Sequence, residues 1–331
     1  MTLHLITGGG GYLGTHLARR LQERGHTVRA FDLAPARPLP DGVELSKGDI
    51  RDAGALRRAT EGASVVHHLA FVQSMSQRPV DEQRSIAIDG TRNALEAAAS
   101  CGARRFVFTS TIEIYGTCPP CPCPEDAPRD PVGLYGRLKW EAERLSFDLG
   151  TEKGLEVTAL RMPTICGPGF FNHRPLLALM ERALAHKTLA VTGDGGKRGA
   201  FVHVADVTQG YALAAEKPGA VGEAFNISAR ESATHLEIVR AIADALESRS
   251  RIVRLPGLVV RAALPLGRAL GLSDFPAEQD GYVLHDNCYA IDKATDRLGY
   301  RPEYSTIEAA RALGRGYREE REAVRARSTS Y

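Results

Sequence analysis

Tyr135 and Lys139, in the segment YGRLK, stand four residues apart in a stretch that reads as a helix, so both side chains leave from one face. An ammonium beside a phenol favours the phenolate and draws its pKa down, which makes Tyr135 a candidate acid/base. Taken alone, the spacing also suits an ordinary surface pair. Upstream, FVFTSTIEIYG reads as a strand in which Thr111, Glu113 and Tyr115 share one face and Ser110, Ile112 and Ile114 the other. At its end a Thr111 hydroxyl would hold a substrate oxygen beside Tyr135. Glu113 would act as a second acid/base or orient a ligand, or else stand as a solvated loop carboxylate.

The elements that must position these groups begin at the N-terminus. Leu3 to Gly14 reads LHLITGGGGYLG, followed by the amphipathic THLARRLQERG: a strand, a glycine turn and a helix. Gly8, Gly11 and Gly14 let the backbone bend, approach a pyrophosphate and pack helix on strand, while the first helical amides face the phosphate. The next apolar run ends in Asp32, eighteen residues beyond Gly14, where a carboxylate takes the adenosine ribose hydroxyls. Such a carboxylate repels a 2'-phosphate and favours NAD over NADP, with Arg29 and Arg37 nearby as the features that suit NADP.

Short strands alternating with helices through LEVTALRM predict an α/β fold with a doubly wound parallel sheet, whose ligands sit at the carboxyl ends of the strands. Residues 1–165 with 200–249 are expected to form the dinucleotide-binding domain. Residues 166–199 with 250–325 make a smaller substrate lobe, and 326–331 a frayed tail. The 331 residues carry 42 Lys and Arg against 40 Asp and Glu, a balance that gives no argument for nucleic acid and leaves a small molecule as the expected partner. No basic and apolar leader precedes the first strand, so a cytoplasmic location is expected.

The six cysteines include three in GTCPPCPCPED. No matching Cys or His pair follows at finger-like spacing, and nothing else points to an oxidising compartment. The segment therefore reads as a stiff proline-rich loop holding neither a metal nor a structural disulfide. LPGLVVRAALPLGRALGL, from Leu255, is interrupted by Arg261, Pro265 and Arg268, which argues against a membrane span. It reads as an amphipathic helix capping a substrate pocket, with a membrane-surface helix as the alternative.

Taken in order, these motifs resemble the extended short-chain dehydrogenases/reductases, the NAD-dependent epimerase/dehydratase group. The resemblance runs from Thr2 to about Ser305. It rests on T-G-x-x-G-x-x-G at Thr7 to Gly14, Asp32, G-D-I-R-D at Gly48 to Asp52, H-L-A at His68 to Ala70 and S-T-I-E-I-Y-G at Ser110 to Gly116. Y-x-x-x-K, L-R-x-P with G-P-G at Leu160 to Gly169, F-V-H-V-x-D at Phe201 to Asp206 and L-G-Y-x-P at Leu298 to Pro302 complete it. The resemblance implies a Rossmann-type sheet with Tyr135 as acid/base, Lys139 on the nicotinamide ribose and Thr111 on the reacting oxygen. It further implies NAD held along Gly8, Gly11, Tyr12, Leu13, Gly14, Asp32, Asp49, Ile50, Ala70 and Pro163, and a homodimer built on the tyrosine-bearing helix.

Four departures from the family pattern narrow the reading. Ala87 stands where the family usually has asparagine, and Ile112 where 4,6-dehydratases carry their aspartate, which argues against that reaction. Thr164 replaces the asparagine common in nucleotide-sugar members, and Arg198 is displaced from the usual arginine position. S-T-I-E-I, the apolar Leu255 segment and N-C-Y-A-I-D-K-A resemble the 3β-hydroxysteroid dehydrogenase branch. The expected substrate-side residues are Thr111, Glu113, Thr164, Arg174 and Arg198. The alternatives are a nucleotide-sugar epimerase or decarboxylase, with Arg174, Lys197, Arg198 and Arg254 available for a diphosphate, and a non-catalytic NAD sensor.

Overall fold

The computed structural model describes residues 1–331 except 74–75, 171–172, 271–276, 278–279 and 329–331, and no side chain beyond residue 321. Strands run as β1 (Leu3–Thr7), β2 (Thr27–Asp32), β3 (Glu44–Lys47), β4 (Val65–His68), β5 (Arg105–Thr111), β6 (Glu156–Met162), β7 (Thr164–Cys166), β8 (Leu189–Thr192), β9 (Arg198–Gly199), β10 (Phe201–His203), β11 (Glu223–Asn226), β12 (Ala233–Thr234) and β13 (Ile252–Leu255). Helices are α1 (Tyr12–Glu23), α2 (Ala53–Thr60), α3 (Val80–Arg84), α4 (Gly90–Ser100), α5 (Leu134–Lys153), α6 (Arg174–Leu184), α7 (Val204–Glu216), α8 (His235–Ala245), α9 (Gly257–Ala269), α10 (Asp280–Leu284), α11 (Asp292–Leu298) and α12 (Thr306–Ser328). Of the tail read as frayed, 329–331 lie outside the described residues.

Seven strands form one parallel sheet in the order β3-β2-β1-β4-β5-β6-β11. The order reverses between β1 and β4, and the crevice at the carboxyl ends there is where a dinucleotide enters such a sheet. Neighbouring residues on a strand face opposite sides, so Leu5, Phe106 and Phe108 pack beneath α2, α4 and α5. Ile6 and Val107 pack on the other side with Leu17, Leu21, Val207 and Tyr211. Both strands read as near-continuous apolar runs because both faces are covered. A third core, with Met180, Leu189, Ile238, Ile242 and Leu313, joins α6, α8 and α12.

Local chemistry sets the ends of these elements. Asp52 caps α2 by accepting from the Ala55 amide at 2.9 Å, and Thr234 with Glu237 forms a reciprocal capping box on α8. Gly154 closes α5 in the left-handed region at φ +67°.

The segment FVFTSTIEIYG departs from the extended reading. Its strand ends at Thr111, and Ile112–Tyr115 wind into a 3-10 turn capped by the Thr111 hydroxyl on the Glu113 amide. Alternation therefore fails beyond Thr111: Tyr115 turns inward to Arg161 and Asn226, at 2.9 and 2.8 Å, and does not share a face with Thr111.

The cysteine loop also differs. Cys121 is joined to Cys288 by a disulfide between Cα atoms 5.2 Å apart, and Cys101, Cys118, Cys123 and Cys166 are free. The partner lies 167 residues away, so no local spacing could have revealed it. The Cys123 amide donates to the Cys288 carbonyl at 2.8 Å and the Ala290 amide to the Cys123 carbonyl at 3.0 Å, tying the same two segments through the backbone. No helix among the described residues is long and apolar enough to cross a membrane.

Candidate active site

The turn after β1 shows why it is made of glycine. Gly8 has φ +70°, and a Cβ there would stand 2.9 Å from the Ala70 nitrogen; one on Gly14 would stand 2.5 Å from the Gly8 oxygen. α1 then begins with no side-chain cap and no acid in its first turn, so its leading amides stay free for an anion. They open on a cleft of about 740 Å³ lined by Gly8, Gly11, Tyr12, Leu13, Gly14, Asp32, Asp49, Ile50 and Ala70, and also by Tyr135 and Lys139. The shape and the donors fit a dinucleotide. Asp32 is fixed at the wall by the Gly10 amide at 2.9 Å and the Ala34 amide at 3.1 Å. Bonding and ion pairing to Arg51 hold the Asp49 carboxyl below its ordinary range. Arg29 is taken up by Glu44 at 2.9 Å and Arg37 by the Gly169 carbonyl, and neither lines the cleft.

A second cavity, of about 410 Å³, meets the first at Tyr135, Thr109, Phe170 and His173. Thr111, Glu113, Pro163 and Thr164 line it, so Pro163 stands on this side and not in the dinucleotide cleft. The rest of the wall is largely apolar, with Ile112, Met162, Ile165, Leu176, Leu179, Val191, Phe201, Ile238 and Val239. No Lys or Arg belongs to it among the described residues. Burial pushes His173 down to about 4, so this neighbour is uncharged at neutral pH. Two expected substrate residues are not brought here: Arg174 is exposed on α6, and Arg198 lines a separate depression beside Cys121 and Cys288. Sequence order put both near the site, but the start of α6 turns His173 and Pro175 inward and Arg174 out.

The pairing of Tyr135 with Lys139 also differs from expectation. Burial pushes the Tyr135 hydroxyl well above its ordinary value and the Glu113 carboxylate adds to this, against a hydrogen bond with Thr111. The Lys139 ammonium is engaged elsewhere. The ammonium donates to the Thr109 carbonyl at 2.6 Å and lies 3.7 Å from the Phe71 ring centre, against 5.8 Å for the Tyr135 ring. Burial draws Lys139 down to about 7, opposed first by Glu143 and then by Glu113.

Beneath this pair lies a polar network that sequence reasoning missed. Arg161 and Glu143 form an ion pair at 2.5 Å with side chains 3% and 1% exposed. Ser110 donates to Glu143 at 2.5 Å, and Arg161 donates to the Tyr115 hydroxyl and to the Glu125 carbonyl at 2.8 Å. The signal was present: Glu143 follows Lys139 by one helical turn, as Lys139 follows Tyr135, and Arg161 is the arginine of L-R-x-P.

A profile of the NAD dependent epimerase/dehydratase family matches residues 4–228. The chain belongs to that family. A 3 beta-hydroxysteroid dehydrogenase/Delta 5-->4-isomerase of Mycobacterium tuberculosis is 30% identical over 327 residues, covering 92% of this chain and 87% of its own. Among solved structures, a UDP-glucose 4-epimerase of Thermotoga maritima superposes with a TM-score of 0.80 at 24% identity, covering 96% of this chain and 99% of its own. A short-chain dehydrogenase/reductase superfamily protein of Agrobacterium tumefaciens, solved with bound NAD, gives 0.76 at 27% identity over 98% and 99%. This epimerase/dehydratase family member is thus an NAD-dependent enzyme of the extended short-chain dehydrogenase/reductase type, with the Rossmann-type sheet expected of it.

Proposed function

We propose that this enzyme moves hydride between NAD and a secondary alcohol or ketone on an apolar, hydroxysteroid-like substrate. The observation that carries the reading is the wall of the cavity beyond Tyr135, which is mostly hydrocarbon and has no Lys or Arg among the described residues. A nucleotide sugar brings a diphosphate, whose charge is costly to bury without cations or dipoles to receive it. A rigid hydrocarbon instead gains about 25 cal/mol for each Å² it removes from water. Bound NAD supplies the hydride acceptor for oxidation and, reduced, the donor for reduction. The Thr111 and Tyr135 hydroxyls hold the substrate oxygen. In oxidation Tyr135 takes the hydroxyl proton, and in reduction it returns one to the carbonyl oxygen. Lys139, when protonated, stabilises the phenolate, and Glu113 acts as a second acid/base or orienting carboxylate on the substrate side. Asp32 takes the adenosine ribose hydroxyls and disfavours a 2'-phosphate, consistent with Arg29 and Arg37 being engaged elsewhere.

The test is incubation with NAD and two panels, hydroxysteroids and sugar nucleotides, following absorbance and product stereochemistry. NADH should accumulate with a hydroxysteroid. Turnover of a sugar nucleotide without net reduction overturns the reading in favour of an epimerase. Tyr135→Phe should lower turnover by about 10²-fold or more while NAD affinity is kept; full activity in that variant refutes its assigned role.

A further inference from the structure

We propose that the outward face of α9 and the arginine depression beside it dock this enzyme on an anionic lipid surface. α9 does not cap the substrate cavity as its sequence suggests: none of its residues is fully buried, and none lines that cavity. At 3.6 residues per turn, Val260, Leu264 and Gly267, all half-buried, form its inner side. The opposite side points outward, with Leu258 83%, Val259 54% and Leu266 59% exposed, and Leu270 just beyond the helix 61% exposed. Ala262 and Ala269 fill the same arc, and Arg261 is its margin. A soluble monomer rarely leaves so continuous an apolar surface bare.

Charge identifies the occupant. β13 runs into α9 through Pro256, and its Arg254, with Arg251 just before the strand, joins Arg240 in lining a depression of about 400 Å³ that contains no carboxylate. These three arginines and Arg261 make no ion pair among the described residues. An apolar helix face flanked by unneutralised arginines matches a bilayer interface, where hydrocarbon enters the acyl boundary and guanidinium groups meet lipid phosphates. A second copy docked by a twofold axis on the same face would set these arginines against their own images. At 13 residues α9 is about 20 Å long, too short to span, so it lies in the plane of the surface.

The placement is also suited to the substrate side. Arg268 pairs with Asp280 at 2.8 Å and ties α9 to α10, whose Tyr282 and Val283 wall the apolar cavity; β13 pairs with β8, whose Val191 does the same. A substrate dissolved in the bilayer would thus meet elements that border the cavity. That last step rests on the proposed activity, whereas the docking does not.

The experiment is sedimentation of the full chain with vesicles of phosphatidylcholine alone and of phosphatidylcholine with phosphatidylglycerol. Binding is expected on the anionic vesicles, falling as salt rises from about 0.1 to 1 M and the screening length shrinks from about 10 to 3 Å. The double variants Leu258→Gln/Leu266→Gln and Arg251→Glu/Arg254→Glu should each weaken it by about tenfold or more, because each removes one of the two contributions. All four positions are exposed, and an unchanged urea midpoint and NAD affinity show that the variants remain folded. Absent binding, equal binding to both vesicle types, or binding indifferent to both variants overturns the proposal. So does a concentration-dependent dimer that Leu258→Gln/Leu266→Gln abolishes in a chain that ignores vesicles, which would give the face to a second copy.

Discussion

Replacing Glu143 by Gln should destabilise the enzyme by about 3–5 kcal/mol, because it leaves the Arg161 guanidinium unpaired in the interior. Both side chains are almost fully buried and 2.5 Å apart, so water can compensate little of the lost charge. Arg161→Met should cost about as much, since it leaves the Glu143 carboxylate with the Ser110 hydroxyl as its remaining donor and removes donors from Tyr115 and Glu125. Independent sites would sum to about 6–10 kcal/mol. The pair Glu143→Gln/Arg161→Met carries neither charge, and its expected loss is about 2–4 kcal/mol, set by acceptors left without donors. Urea unfolding followed by circular dichroism at fixed protein concentration measures all variants through their midpoints and slopes. Single losses that add to within about 0.5 kcal/mol in the double variant would refute the reasoning. Glu143→Gln should also lower the Lys139 pKa further, because Glu143 is the leading charge that supports its protonated form.

Asp32→Ala should narrow the preference for NAD over NADP by roughly tenfold, read as the ratio of kcat/KM for the two cofactors, since a charged hydrogen bond and a repulsion are both removed; an unchanged ratio argues against the ribose role. Burial draws His4 down to about 4 and His68 to about 3, and His67 also lies well below its ordinary value. These groups are neutral when folded and protonate near 6.5 when unfolded, so their contribution is intact above that pH. Stability should fall on acidification from about 6.5 toward 4 and then 3, by roughly 1.4 kcal/mol per pH unit for each histidine; urea midpoints that stay flat over this window refute it. In denaturant without reductant four thiols should titrate, and six after reduction, because one pair is oxidised; six in both conditions removes the Cys121–Cys288 bond.

Elements held by contacts between near neighbours were legible in the chain. β1, its glycine turn and α1 follow from an apolar run, residues that permit a tight bend, and apolar positions repeating at helical spacing. Asp32 follows at the end of the next strand. Tyr135 and Lys139 needed only the i, i+4 rule to share a face. The same rule extended by one turn reaches Glu143, but its partner Arg161 lies on β6, and helix periodicity says nothing of which strand a helix will cover.

Sequence by itself thus determined the alternating α/β order, the cradle for a dinucleotide and the types of group available for proton transfer, because those depend on backbone sterics and periodicity within a few residues. Tertiary structure alone decided what those groups experience. It wound Ile112–Tyr115 out of the strand, joined Cys121 to Cys288, set Phe71 against Lys139 and turned Arg174 and Arg198 away from the apolar cavity. Each outcome depends on segments far apart in the chain, and on desolvation, which exists only once the interior has closed around a group and taken its water away.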